Sequence, residues 1–218
     1  LRNCVNKNMD METLRQALEI IHSKDIYACA NIGIGIPFLN ERMNIQAAAD
    51  SVKIALEMGF DSIVLFPYHI KPGTLSDYLQ RQGEYQCCSL WALIEILDLF
   101  SPELLEKIHI SWYRNYYNDP KKVILSPDTC DNCREKVLDA LDAYKNYPGE
   151  KARRNLSSFT CKCRDVWKQK ILSQPMDINL DEIFTLYRQL GFEFAVPKEI
   201  VEEEIVYMNT TYRGMKSV

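Results

Sequence analysis

The sequence predicts an α/β fold: parallel β/α units over residues 1–120, then a mainly helical, cysteine-bearing extension over residues 121–218. Two observations carry this. Up to about residue 115, stretches with apolar residues at helical spacing alternate with short apolar runs, as in parallel β/α units. Beyond that the periodic stretches read as helix, and four of the eight cysteines fall in two tight pairs.

Taken in order, Leu14, Ala17, Leu18 and Ile21 recur at helical spacing over Met11 to Ser23, with Asp10 as N-cap. Ile26 to Ile36 (IYACANIGIGI) is apolar almost throughout and reads as a strand covered on both faces, stopped by Pro37. Ile45 to Met58 is helical again, with Gly59 as its C-cap glycine. Ser62 to Pro67 (SIVLFP) is a second buried strand, followed by a polar loop that turns at Lys71-Pro72-Gly73-Thr74. Ser89 to Leu99 is a helix bounded by Ser101-Pro102, and Ile108 to Tyr113 (IHISWY) a third strand. Three strands are too few to close a barrel. Further strands are therefore expected before Leu1, and a start at Leu1 reads as a cut inside a longer protein or as proteolytic processing. In the tail, Leu180 to Leu190 is a helix closed by Gly191, Glu199 to Glu204 an acidic helix start, and residues 207–218 have no assignment.

Composition narrows the functional classes. At 218 residues with 47% hydrophobic side chains, the chain can build a core and is not disordered. A formal net charge of -4 excludes a global basic field, so nucleic-acid binding needs a local patch. No apolar run approaches the roughly 20 residues that span a bilayer, so no membrane partner is expected. Leu1-Arg2-Asn3-Cys4 opens no secretory signal, so a cytoplasmic, reducing setting is expected, where tight cysteine pairs read as metal ligands or redox thiols.

The stretch from Asn31 to Glu41 (NIGIGIPFLNE) resembles the fifth-strand motif of the radical-SAM superfamily. Ser62 to Tyr68 (SIVLFPY) resembles the sixth strand, and Asn6-Lys7 and Lys71 to Thr74 match in order and spacing. Within the superfamily, the pattern looks closest to a subgroup of iron–sulfur oxidoreductases that includes archaeosine-forming enzymes acting on tRNA. The resemblance is good over residues 1 to about 115 and weaker to about 170. It implies the C-terminal half of a parallel β/α barrel of the radical-SAM type, whose partner would be the missing N-terminal half of the barrel. It implies that Gly33, Ile34, Gly35, Glu41, Phe66, Pro67 and Tyr68 line the adenine side of an S-adenosylmethionine pocket. For the parent protein it implies a [4Fe–4S] cluster and reductive cleavage of S-adenosylmethionine to a 5′-deoxyadenosyl radical, with tRNA or another nucleoside-containing molecule as substrate. The cluster's CxxxCxxC motif is absent from this chain, which is therefore expected to be inactive alone.

Each residue also has a plainer reading. Glycines near a strand end serve packing, and Glu41 suits a helix cap. Tyr68 and His69 follow a strand, where β/α folds bind ligands. His22, His109 and Trp91 read as structural, Cys29 as a small buried hydrophobe, and Cys87-Cys88 as packing thiols or thiols activated at a helix start.

Cys130, Cys133, Cys161 and Cys163 form a CxxC and a CxC pair under thirty residues apart. Four thiolates suit a closed structural zinc site. Iron–sulfur ligation, unpaired structural cysteines and redox pairing remain alternatives. The segment Leu138 to Lys170 carries Lys145, Lys151, Arg153, Arg154, Lys162, Arg164, Lys168 and Lys170, with Phe159 and Trp167 between them. It reads either as a solvated helix face or as an RNA-binding surface. Two functional hypotheses result: part of a radical-SAM enzyme, or a non-enzymatic zinc-binding α/β module that binds a partner or RNA. An ordinary acid/base enzyme finds no carboxylate pair or Ser-His-Asp set to support it.

Overall fold

The structure, a computed structural model, describes residues 10–117, 119 and 121–216. Cys4 and the Asn6-Lys7 pair lie outside these residues. By their internal packing the described residues form two units, 10–175 and 176–216.

In the first unit, helix α1 (Met11–His22) starts at Asp10, whose carboxylate accepts the Thr13 amide at 2.7 Å. Strand β1 (Cys29–Ile34) leads to α2 (Glu41–Glu57), capped by the Asn40 side chain. Strand β2 (Ser62–Pro67), the short helices α3 (Leu75–Arg81) and α4 (Leu90–Asp98), one turn of α5 (Pro102–Leu105) and β3 (Ile108–Ile110) follow. Helix α3 falls where a polar loop is expected: Thr74 caps a stretch too short to show a period. The three strands are parallel in the order β1-β2-β3, with Ile32 opposite Leu65 and Leu65 opposite Ile110. The architecture is thus mixed α/β, with a small parallel sheet and ten helices among the described residues.

The first strand is shorter than the apolar run that encodes it, and its burial alternates. Ile26 and Tyr27 precede the pairing with β2 and are exposed, and Cys29 and Asn31 are exposed while Ile32 and Ile34 are buried. Coverage on both faces is thereby corrected, and Cys29 is not a buried hydrophobe. The physical reason is period two. Ile32, Ile34, Ile63, Leu65, Ile108 and Ile110 all belong to one core with Ala48 and Val52 of α2 and Leu93 and Ile96 of α4. The intervening residues belong to the other face. The third strand likewise ends at Ile110, because its pairing with β2 stops at Leu65.

The extension folds as α6 (Arg134–Asn146), α7 (Glu150–Ser157) and α8 (Lys162–Leu172). Val137, Leu141, Tyr144, Leu156, Trp167 and Ile171 join the same core as the sheet. The loop ahead of α6 is tied to α4: the Asp128 carbonyl accepts the Leu90 amide and the Ser89 hydroxyl, both at 3.1 Å.

The second unit contains α9 (Leu180–Glu193) and α10 (Lys198–Lys216). Phe184, Val201 and Ile205 form its small core, and Arg188 makes a two-pronged ion pair with Glu202 at 2.6 and 2.8 Å. Gly191 does not close the helix as its residue type suggests. It lies inside α9, and a Cβ there would sit 2.5 Å from Val201, so glycine permits the helices to approach. Among the described residues, no helix is long and apolar enough to cross a membrane.

Candidate functional site

The four predicted thiols come together. Cys130 and Cys133 lie in the turn before α6, while Cys161 and Cys163 start α8. All four Sγ atoms lie within 4.8 Å of one another, with neighbouring separations of 3.5, 3.6 and 3.6 Å. A tetrahedral ion with metal–sulfur bonds of about 2.3 Å spaces its sulfurs about 3.8 Å apart. The spacing therefore matches one ion that all four thiolates touch. A cluster would spread its thiolates over separate irons, which calls for wider gaps. The group can hold a metal ion.

Its surroundings supply donors. The Trp91 indole N–H donates to Cys163 Sγ at 3.4 Å, and the backbone amide of Cys130 donates to the same sulfur. Burial acts to raise the Cys163 thiol, but these donors outweigh it and bring the pKa down to about 7. Burial pushes the Cys133 thiol up to about 12. Arg164 lies 5.1 Å over the Trp91 ring and donates to the Ser157 and Phe159 carbonyls, both at 2.8 Å. Sequence reasoning placed Trp91 in the core, where it is; its polar edge at a thiol needed the fold to be seen. Cys87 and Cys88 stand apart from this group, and burial raises Cys87 to about 11 and Cys88 well above its ordinary value, which fits packing thiols.

The second region is the sheet face opposite the helices. Asn31, Val64, Phe66, His109, Trp112 and Lys145 line a cavity of about 650 Å³ there. Of the residues singled out from the strand motifs, Phe66 is on this face and lines the cavity. Gly33 pairs with Phe66 across the strands. Tyr68 lies over Gly33 so closely that a Cβ would sit 2.5 Å from its ring. The flat group that approaches the Gly33 backbone is thus the protein's own phenol. Ile34 is fully buried in the helix-side core, Pro67 is also buried, and the Gly35 carbonyl accepts the Tyr85 hydroxyl at 2.5 Å.

Glu41 opens α2 and accepts the Ser89 amide at 2.6 Å. Burial raises its carboxyl above the ordinary range, against the lowering influence of that amide, the Trp167 indole and Lys170. Asn44, which the sequence did not flag, is 4% exposed. Its side chain accepts from the Gly35 and Ile36 amides and donates to the Ile36 and Leu39 carbonyls. It thereby shapes the loop from β1 to α2.

His69 has both ring nitrogens engaged, by the Trp112 carbonyl at 2.5 Å and Ser126 Oγ at 3.0 Å, and burial lowers its pKa. This describes a neutral imidazole that fastens two loops. His22 pairs with Asp61 at 3.2 Å. His109, read as structural, is among the residues that line the cavity. Knowledge of the register would have found it, because it lies opposite Val64.

At the cavity rim, Trp112, Tyr116 and Tyr117 are each about two-fifths exposed, and Trp112 stacks on Tyr117 with centroids 5.8 Å apart. Lys122 and Lys145 lie over the Tyr117 and Tyr116 rings at 4.9 and 5.4 Å. The basic stretch on α7 and α8 is more tied down. Arg153 pairs with Asp98 and Glu150, Arg154 with Glu150 and Lys168 with Glu95, and Arg164 is buried.

No protein-family model matches the chain. Over 173 residues it is 24% identical to archaeosine synthase subunit beta of Methanosarcina acetivorans, a match that takes in 77% of the chain and 46% of that protein. The chain thus spans about half the length of this curated relative.

Proposed function

We propose that this chain is the C-terminal part of a radical-SAM enzyme that modifies a nucleoside in RNA, braced by one structural metal ion at Cys130, Cys133, Cys161 and Cys163. The observation that carries the reading is the one-sided sheet. Helices α2 and α4 pack on one face of three parallel strands, and the other face opens into a cavity lined by Asn31, Val64, Phe66 and His109, together with Lys145 of α6. In a closed β/α barrel the strand faces turned inward are filled or shared by the remaining strands. Weak similarity to a protein named as a subunit of archaeosine synthase supports the same direction.

This chain's part in the chemistry is shape. Phe66 and Tyr68, with ring centroids 5.5 Å apart, form an aromatic wall at the strand ends, against which an adenine would stack. S-adenosylmethionine and a [4Fe–4S] cluster supply the radical chemistry when bound, with cluster ligands contributed from outside this chain. The Cys₄ group does not fit the cluster's role, because its four sulfurs converge on one point and leave no open coordination position. Zinc suits it by ligand softness and geometry. The exposed rim of Trp112, Tyr116 and Tyr117, with Lys122 and Lys145, offers ring faces and positive charge to an unpaired base and its phosphate.

The test is anaerobic assay of the parent protein, carrying the CxxxCxxC motif, for 5′-deoxyadenosine. Product is expected, and Phe66→Ala should lower its yield while zinc content stays constant. Absence of 5′-deoxyadenosine from a cluster-loaded, folded parent would overturn the reading. It would favour the second one, a non-catalytic metal-braced module, which the four converging thiols would also suit.

A further inference from the structure

We infer that the metal at the Cys₄ group sets the order of the loop between β1 and α2 together with the start of α2, residues 36–42, acting through α8. The inference rests on the proposed reading of those thiols as metal ligands.

Helix α8 is fastened at both ends by different chemistry. Its start is Cys161 and Cys163, and no side chain caps its first turn. Helix α6, which starts at Cys133, also lacks a side-chain cap. The first-turn amides of a helix need partners, and thiolates suit that electropositive end. These two helix starts therefore depend on the thiolate group being drawn together, and an ion is what draws it.

The end of α8 holds the loop. The Arg42 guanidinium donates to the Leu172 and Gln174 carbonyls at 3.3 and 3.0 Å. The Arg42 amide donates to Gln174 Oε1 at 3.0 Å. Asn40 Nδ2 donates to the Pro175 carbonyl at 2.8 Å, while its Oδ1 caps α2 at the Met43 amide. The side chain that starts α2 is thus oriented by the tail of α8. Trp167 and Ile171 between the two ends are buried in the common core, so α8 can pass a displacement from one end to the other.

The loop so held follows directly from the β1 end, where Tyr68 covers Gly33 and the Tyr85 hydroxyl donates to the Gly35 carbonyl. With the ion bound, α8 is in place and residues 36–42 are ordered at the mouth of the sheet. With the ion removed, the α8 start loses its tether, and Asn40 and Arg42 lose their partners at its end. The metal, distant in chemistry from the ligand end of the strands, thereby governs its shape.

Hydrogen–deuterium exchange on the purified protein, zinc-loaded and chelated, tests this alongside metal content by native mass spectrometry. Peptides covering residues 36–44 should exchange about tenfold faster after chelation. The Arg42→Ala protein separates tether from metal. It should bind zinc as the parent does, keep protection at the starts of α6 and α8, and exchange at residues 36–44 like the chelated parent. Zinc bound with residues 36–44 unaffected by chelation overturns the clasp and leaves the metal reading intact. Absence of bound metal overturns both. If chelation unfolds the whole unit, the Arg42→Ala protein decides: a loop that keeps its protection overturns the inference.

Discussion

The Cys₄ group and the open sheet face lie in the same unit and are built in opposite ways. The thiol group draws its ligands from two short segments, each pair set by adjacent backbone, and is packed against Trp91 and Arg164. The sheet face draws one or two residues from each of three strands, so its makeup depends on register across the sheet. One is a dense knot of chemistry with little room; the other is a shape with few charged groups. The contrast teaches where perturbation should travel. Damage to the knot releases two helix starts at once, whereas damage to the face stays at the strand ends.

The largest expected effect breaks the knot. Cys133→Ser should abolish stoichiometric metal binding and lower the melting temperature by about 10 °C or more, since ligand binding is part of the folding energy at such sites. Metal content and scanning calorimetry check this, and an unchanged melting temperature would remove the bracing role. A smaller effect is expected at the face. Gly33→Ala drives a Cβ into the Tyr68 ring and should cost about 1–3 kcal/mol by urea denaturation, with metal content unaltered. Pairing it with Tyr68→Ala should recover part of that loss, a non-additivity that two independent sites would not show.

The smallest effect concerns Glu41, which stands between the two regions. Burial raises its carboxyl, so the native state holds this proton more tightly than the unfolded chain does. Stability from this group is full below the ordinary carboxylate range and is lost as pH rises through the raised value. Glu41→Gln keeps an acceptor for the Ser89 amide without the charge. Its stability relative to the parent should therefore rise with pH and level off on acidification. A difference that does not vary with pH would show that burial of Glu41 carries no such cost.

Much of the first unit was legible from local signals. Asp10 caps α1 as its residue type predicts, Ser89 begins α4, and the alternation of apolar segments marked β1, β2 and β3, whereas α2 starts at Glu41, ahead of the Ile45 where its apolar period begins. The cysteine pairs were legible because ligand spacing is a property of short backbone segments. The length of β1, the exposure of Cys29, the role of His109 and the position of Gly191 inside α9 were not, since each depends on a partner distant in sequence. The basic stretch on α7 and α8 looked like free charge. Asp98 and Glu95, on another helix, pair with Arg153 and Lys168.

What the sequence by itself determined is the three strands, the longer helices beside them and the four thiols, because period, capping and ligand spacing act within a few residues. Only the tertiary structure decided that those thiols converge on one point and that Trp91 points its N–H at one of them. It alone also decided which side of the sheet faces outward. Convergence, donors and open faces arise from packing between segments that meet only when the chain folds.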